Sequence, residues 1–193
     1  MSKLLLYIFT LFLMSNTTID NYLSIPVRTQ IPIFLKILEW DKNIISKEQG
    51  NKDFLIGILY QPKNPISSSI FTEIWQFESQ KFILKQNNRR IKFLPLEMNS
   101  TDNLENLLKK NLINAVIITP LRAVEISEIV KITQSNKILS FGLLSHYTSM
   151  GVALSLDIKA DRPQILINLS SAKKEGADFS SNLLKLAKII DAN

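Results

Sequence analysis

The chain contains no cysteine, which removes disulfides, thiolate nucleophiles, lipidation at cysteine and every metal site built on sulfur. An oxidising compartment stays open, because 193 residues can bury a core that needs no covalent staple. Histidine occurs once, as His146, and one imidazole without a thiol is too few ligands for a transition-metal centre. Only five glycines are present, Gly50, Gly57, Gly142, Gly151 and Gly176. No pair stands close enough to form a phosphate-cradling loop of the dinucleotide or P-loop kind. There is no Gly-x-Ser-x-Gly elbow. A nucleophilic triad would need His146 as its base, with Ser145 or Ser149 near it in sequence. Paired carboxylates occur at Asp157 and Asp161 and at Glu175 and Asp178. The first pair flanks a hairpin turn and Asp178 reads as a helix cap, so neither suggests glycoside hydrolysis or a hard-metal site.

What is present points to one folded domain. Apolar residues make up 46% and charged residues 21%, outside the range of a disordered tail or an all-membrane chain. The formal charge is +6, or +5 if Lys3 leaves with a leader, a surplus that favours acidic partners only weakly. The one dense basic cluster, Lys85, Arg89, Arg90 and Lys92, reads as the solvated C-terminus of a helix. It is neither repeated along a face nor interleaved with stacking aromatics, so no nucleic-acid partner is expected. Residues 1–16 run from Lys3 into the apolar block Leu4 to Met14, the form of a secretory signal peptide. The block is too short for a transmembrane helix, which needs about 20 residues. Residues 17–29 read as a polar lead-in and 30–191 as a single domain.

Along that domain, Ile31, Phe34, Leu35, Leu38 and Ile45 recur at near-helical spacing with Pro32 in a first turn, predicting a helix from about 30 to 42. The stretch from Ile44 to Asp53 reads as a loop. Phe54 to Tyr60 is a strand, closed by Gln61, Pro62, Lys63, Asn64 and Pro65. Ser67, Ser68 and Ser69 can cap the next helix, whose buried face carries Ile70, Ile74, Phe77 and Phe82. Ile91 to Leu96 is a second strand. Asn99 to Asp102 supplies caps for a stripe of Leu104, Leu107, Leu108 and Leu112. Ala115 to Thr119 is a third strand stopped by Pro120. A helix from Ala123 to Gln134 follows, and then a fourth strand, Ile138 to Phe141. This alternation predicts an α/β fold with a mainly parallel sheet and helices on both faces. Gly151 to Ile158 and Pro163 to Leu169 then form an antiparallel hairpin. Past Gly176, with Asp178 as cap, Phe179, Leu183, Leu186, Ala187 and Ile190 share one face of a closing C-terminal helix.

Ligands of such sheets bind outside the carboxyl ends of the strands. That rule nominates Tyr60, Gln61 and Asn64 after the first strand, Thr119 and Pro120 after the third, and His146 and Tyr147 after the fourth. These polar and aromatic groups suit a small ligand or a protein segment, and each also reads as an ordinary loop residue. Nothing in the sequence specifies a cofactor, a metal or an oligomeric state.

Several stretches resemble a known family. Ile167, Asn168, Leu169, Ala172, Lys173, Glu175, Gly176, Ala177, Phe179, Ser180, Ser181 and Leu183 to Ala187 are similar to the ending of the YfiR/HmsC-like family of exported bacterial proteins. So are Lys36 to Asp41, Ile56 to Tyr60 and Val116 to Pro120. The resemblance covers roughly residues 26–190. It implies a small periplasmic α/β domain without enzymatic activity. It also implies a negative regulator that contacts the periplasmic sensor region of an inner-membrane diguanylate cyclase and lowers cyclic-di-GMP signalling. Some members carry cysteine pairs linked to redox sensing, a mode this cysteine-free chain does not share. Two functions follow as expectations: a periplasmic regulator of a membrane sensor protein, or a single-lobed periplasmic binder of small molecules.

Overall fold

A computed structural model describes residues 22–44, 53–86 and 88–190. The leader, residues 17–21 of the lead-in, Ile45 and Gly50 lie outside the described residues. Helix α1, Val27–Leu38, begins after Pro26, three residues before the predicted start. Pro32 therefore sits in the second turn rather than the first, where it removes one helical hydrogen bond. Leu23 and Ile25, in the expected polar lead-in, are buried. The Gln30 side chain ties that segment down by donating to Ile25 O at 2.8 Å and Leu143 O at 3.2 Å.

The sheet has strands β1 Phe54–Tyr60, β2 Ile83–Leu84, β3 Arg89–Glu97, β4 Ala115–Ile118, β5 Leu139–Gly142, β6 Leu154–Lys159, β7 Arg162–Asn168 and β8 Lys188–Ile190. Their spatial order is β2-β3-β1-β4-β5-β6-β7-β8. Strands β3, β1, β4, β5 and β6 run parallel, while β2 and β7 pair antiparallel to β3 and β6. The other α-helices among the described residues are α2 Pro65–Trp75, α3 Leu104–Lys110, α4 Ile126–Ser135, α5 Leu169–Lys174 and α6 Ser181–Leu186. The predicted α/β class, with its parallel sheet and C-terminal hairpin, is the observed one.

Side-chain alternation along the strands splits the core between two faces. Phe54, Ile56 and Ile58 join Phe93, Ile117 and Phe141 under α1 and α2, where Phe34 stacks on Phe141 at 4.7 Å. Leu59, Leu96, Val116 and Ile118 face the other way, toward Leu104 and Leu108 of α3 and Ile126, Ile129 and Val130 of α4. Burial of such side chains contributes about 1.5–3 kcal/mol each as an upper estimate.

Several local expectations are corrected. Asn64, not the serine run, caps α2. Helix α3 ends at Lys110, and Leu112 turns outward with φ +54°, so it leaves the predicted stripe. The basic cluster is no helix end. Arg89 is buried at the start of β3, donating to Asp53 O at 2.7 Å with its guanidinium over the Phe54 ring. Lys92 pairs with Asp53 at 2.5 Å.

The C-terminal segment differs most. Asn168 caps α5 by accepting from Ser171 N at 2.9 Å, a helix absent from the sequence reading. Gly176, with φ +80°, ends it: Ala177 N bonds to Ala172 O and Gly176 N to Lys173 O, the paired bonds of a left-handed helix stop. Ser180, rather than Asp178, caps α6. Helix α6 stops at Leu186, which is 63% exposed, and the following residues form β8 against the free edge of β7. The β-branched pair Ile189-Ile190 suits that edge better than another helical turn.

Candidate functional site

Strand β1 sends its first crossover to β3 on one side, and the chain then returns to β4 on the other. A crevice therefore opens outside the carboxyl ends of β1 and β4, the topological switch point of the sheet. A cleft of about 260 Å³ lies there. The β1–α2 loop lines it with Gln61, Lys63, Asn64 and Pro65, the segment just after β3 with Met98 and Asn99, and the loop after β4 with Arg122.

The residues nominated from the sequence divide into two groups. Gln61 and Asn64 line the cleft. Gln61 holds the far wall: its Nε2 donates to Arg122 O at 2.6 Å and its Oε1 accepts from Arg122 N at 2.7 Å. Asn64 Oδ1 accepts from Ile66 N at 3.1 Å and Ser67 N at 3.5 Å. With that oxygen engaged in the cap, the amide NH2 is the end left to meet solvent.

Tyr60, Thr119, Pro120 and Tyr147 lie behind the cleft, in the packing. Tyr60 stacks on Phe71 at 4.0 Å and donates to Glu97 Oε1 at 3.1 Å. Burial first, then the Glu97 carboxylate, raises its phenol above the ordinary range. Thr119 Oγ1 donates to Leu59 O at 2.8 Å, which commits its proton, so Ser67 Oγ donates to Thr119 Oγ1 at 2.7 Å. Ser67 Oγ in turn accepts from Gln61 N at 2.9 Å. This relay fastens α2 to β1 and β4 directly beneath the crevice.

Tyr147 Oη accepts from Leu121 N at 3.0 Å, and desolvation raises its phenol above the usual value. The ring packs so closely on Gly142 that a Cβ there would lie 2.8 Å from Tyr147 Cβ. His146 is exposed and edge-on to Tyr147 at 5.0 Å. It has no carboxylate or serine partner among the described residues, and it is not among the cleft's lining.

Lys63, Met98, Asn99 and Arg122 were not singled out from the sequence. The available signal was positional, since Lys63 and Arg122 belong to the two loops that follow the switch-point strands. Among the described residues no His/Asp/Glu cluster could hold a metal ion, and no helix is long and apolar enough to cross a membrane.

The sequence profile of the YfiR/HmsC-like family matches residues 56–188. The chain belongs to the YfiR/HmsC-like family. The family is one of periplasmic, regulatory, non-catalytic proteins, and membership supports a periplasmic regulatory role in general. No match to a curated protein is found. Among solved structures, a conserved domain protein from Vibrio cholerae is similar, with TM-score 0.58, 14% identity and 85% of this chain covered. An ABC domain in complex with L-Trp from Streptococcus pneumonia gives 0.54, 16% and 86%. The ligand-free, open structure of CD0873, a substrate binding protein with adhesive properties from Clostridium difficile, gives 0.57, 12% and 85%. Each match covers 60% of the other chain. At these identities the likeness is one of fold.

Proposed function

We propose that this YfiR/HmsC-like chain is a non-enzymatic periplasmic regulator. It binds the periplasmic part of an inner-membrane signalling protein, such as a diguanylate cyclase, and represses it. The family match over residues 56–188 carries this reading. Co-purification in detergent tests it, using the exported, tagged chain and the full-length membrane cyclases of the same cell. Stoichiometric recovery of the cyclase is expected, and recovery no better than with an unrelated exported domain would contradict the proposal.

A second reading, a single-lobed periplasmic binder of small molecules, is favoured by the cleft at the switch point. Two structural neighbours are an ABC domain in complex with L-Trp and a substrate binding protein. In this reading Gln61 and Asn64 face the ligand, while Tyr60, Thr119, Pro120 and Tyr147 support the wall behind them. His146 marks the neighbouring loop. A panel of small solutes that raises the melting temperature, with the rise abolished by cleft substitutions, is the expected sign of this function.

A further inference from the structure

We infer that the switch-point cleft is built for a small anion, a phosphate or carboxylate group carried on a compact solute. The inference rests on the small-molecule reading of the cleft and names the chemistry it would recognise. It starts from charge. Lys63 and Arg122 line one cleft from opposite loops, and neither has an acidic partner among the described residues. Other exposed lysines, Lys159 among them, also lack a carboxylate partner among the described residues; what sets Lys63 and Arg122 apart is that they share one cleft. No aspartate or glutamate lines the cleft. Glu97, next to Met98 on β3, accepts from the Tyr60 hydroxyl instead.

The polar groups agree in sign. The Asn64 cap leaves its NH2 as a donor, because its oxygen holds Ile66 N and Ser67 N. The positive end of the α2 dipole points the same way. Its backbone donors, however, are already closed: Pro65 has none, Ile66 N and Ser67 N meet the cap, and Ser68 N bonds to Asn64 O. Recognition therefore falls to side chains, to Lys63 and Arg122 with the Asn64 amide. Gln61 is a positioning residue that holds Arg122 through its backbone, leaving the guanidinium free to fork onto two oxygens. The volume of about 260 Å³ falls just under the range of about 300–1,000 Å³ for drug-sized ligands. A compact anion fits that space.

The test is an amide NMR titration of the full chain with inorganic phosphate, with malonate and with neutral glycerol, at two ionic strengths. Saturable shifts confined to the amides of Gln61, Lys63, Asn64, Met98, Asn99 and residues 121–123 are expected for at least one anion, weaker at high salt. Whichever of phosphate or malonate binds more tightly identifies the anion class. Lys63→Gln and Arg122→Gln should each weaken binding at least ten-fold, with unchanged melting temperatures because both side chains are exposed. Lys159→Gln, an exposed lysine on another edge, should leave binding unchanged. Glycerol binding in the cleft that is indifferent to both cation substitutions would overturn the anion inference while keeping the small-molecule reading. Linear, unsaturable shifts with all three solutes would overturn both.

Discussion

The side-chain amide of Gln61 grips the backbone of Arg122 from both sides, donating to its carbonyl at 2.6 Å and accepting from its N–H at 2.7 Å. One residue from the β1 loop thereby sets the position of the loop after β4, across the switch point of the sheet. Replacing Gln61 with alanine removes two hydrogen bonds that each contribute about 0.5–1.5 kcal/mol. Because they are solvent-accessible, the expected loss of stability is small, about 1 kcal/mol. Amide exchange across residues 121–124 should accelerate far more than exchange in β4. Uniform protection in both segments would show that the clasp does not hold the loop.

Glu175 is expected to matter more, although it belongs to no site. Its buried carboxylate accepts from Thr133 Oγ1 at 2.6 Å, Ser140 N at 2.8 Å and Ser140 Oγ at 2.7 Å, joining the end of α5 to α4 and β5. Glu175→Ala strands those donors and should cost about 3–5 kcal/mol. Glu175→Gln keeps the shape and one acceptor oxygen, so it should cost less. Urea midpoints of the two variants check the order, and equal midpoints would contradict it.

Tyr147 supplies a pH dependence. Its phenol ionises above the ordinary value of about 10, chiefly because burial disfavours the phenolate. The native state therefore keeps its proton while the unfolded chain loses it. Stability is intact below pH 10 and falls as pH rises from there toward the native value. Tyr147→Phe should flatten that alkaline fall. It should also cost about 1 kcal/mol at neutral pH through loss of the bond from Leu121 N. Denaturation midpoints measured from neutral to strongly alkaline pH test both effects, and an unaltered alkaline slope in the variant would refute the assignment.

Two truncations separate the parts of the C-terminus. Ending the chain after Ala187 removes an edge strand with two exposed residues and should leave a cooperative, slightly less stable fold. Ending it after Asp178 also removes the buried side chains Phe179 and Leu183, worth about 1.5–3 kcal/mol each, and should abolish folding. Calorimetry of the two proteins distinguishes them; a cooperative transition in the shorter one would contradict the role given to Phe179 and Leu183.

Six of the sheet's eight strands among the described residues were legible in the sequence, because they are short apolar runs and three of them are stopped by Pro62, Pro120 and Gly142; the short edge strands β2 and β8 were not. The final helix was legible only in part, since it spans Ser181–Leu186 and stops before Ile190. Phe179, Leu183, Leu186 and Ile190 do keep helical spacing, but the unpaired edge of β7 captures Ile189 and Ile190, and a free strand edge leaves no periodic mark on the segment that will cover it. The site was half legible. Strand-end position points to the crevice that Gln61 and Asn64 line, yet alternation at the strand ends turns Tyr60 and Thr119 into the packing. The cations that line the cleft are exposed loop residues with no pattern of their own. Their meaning comes from β1 and β4 standing side by side, a fact of topology.

The central claim, periplasmic repression of a membrane signalling protein, is tested most directly by intracellular cyclic-di-GMP after deletion of the gene. The account predicts a rise, reversed by the exported chain and not by the same chain retained in the cytoplasm. Cyclic-di-GMP that is unchanged by deletion, or a rise that the cytoplasmic form reverses equally well, would contradict it.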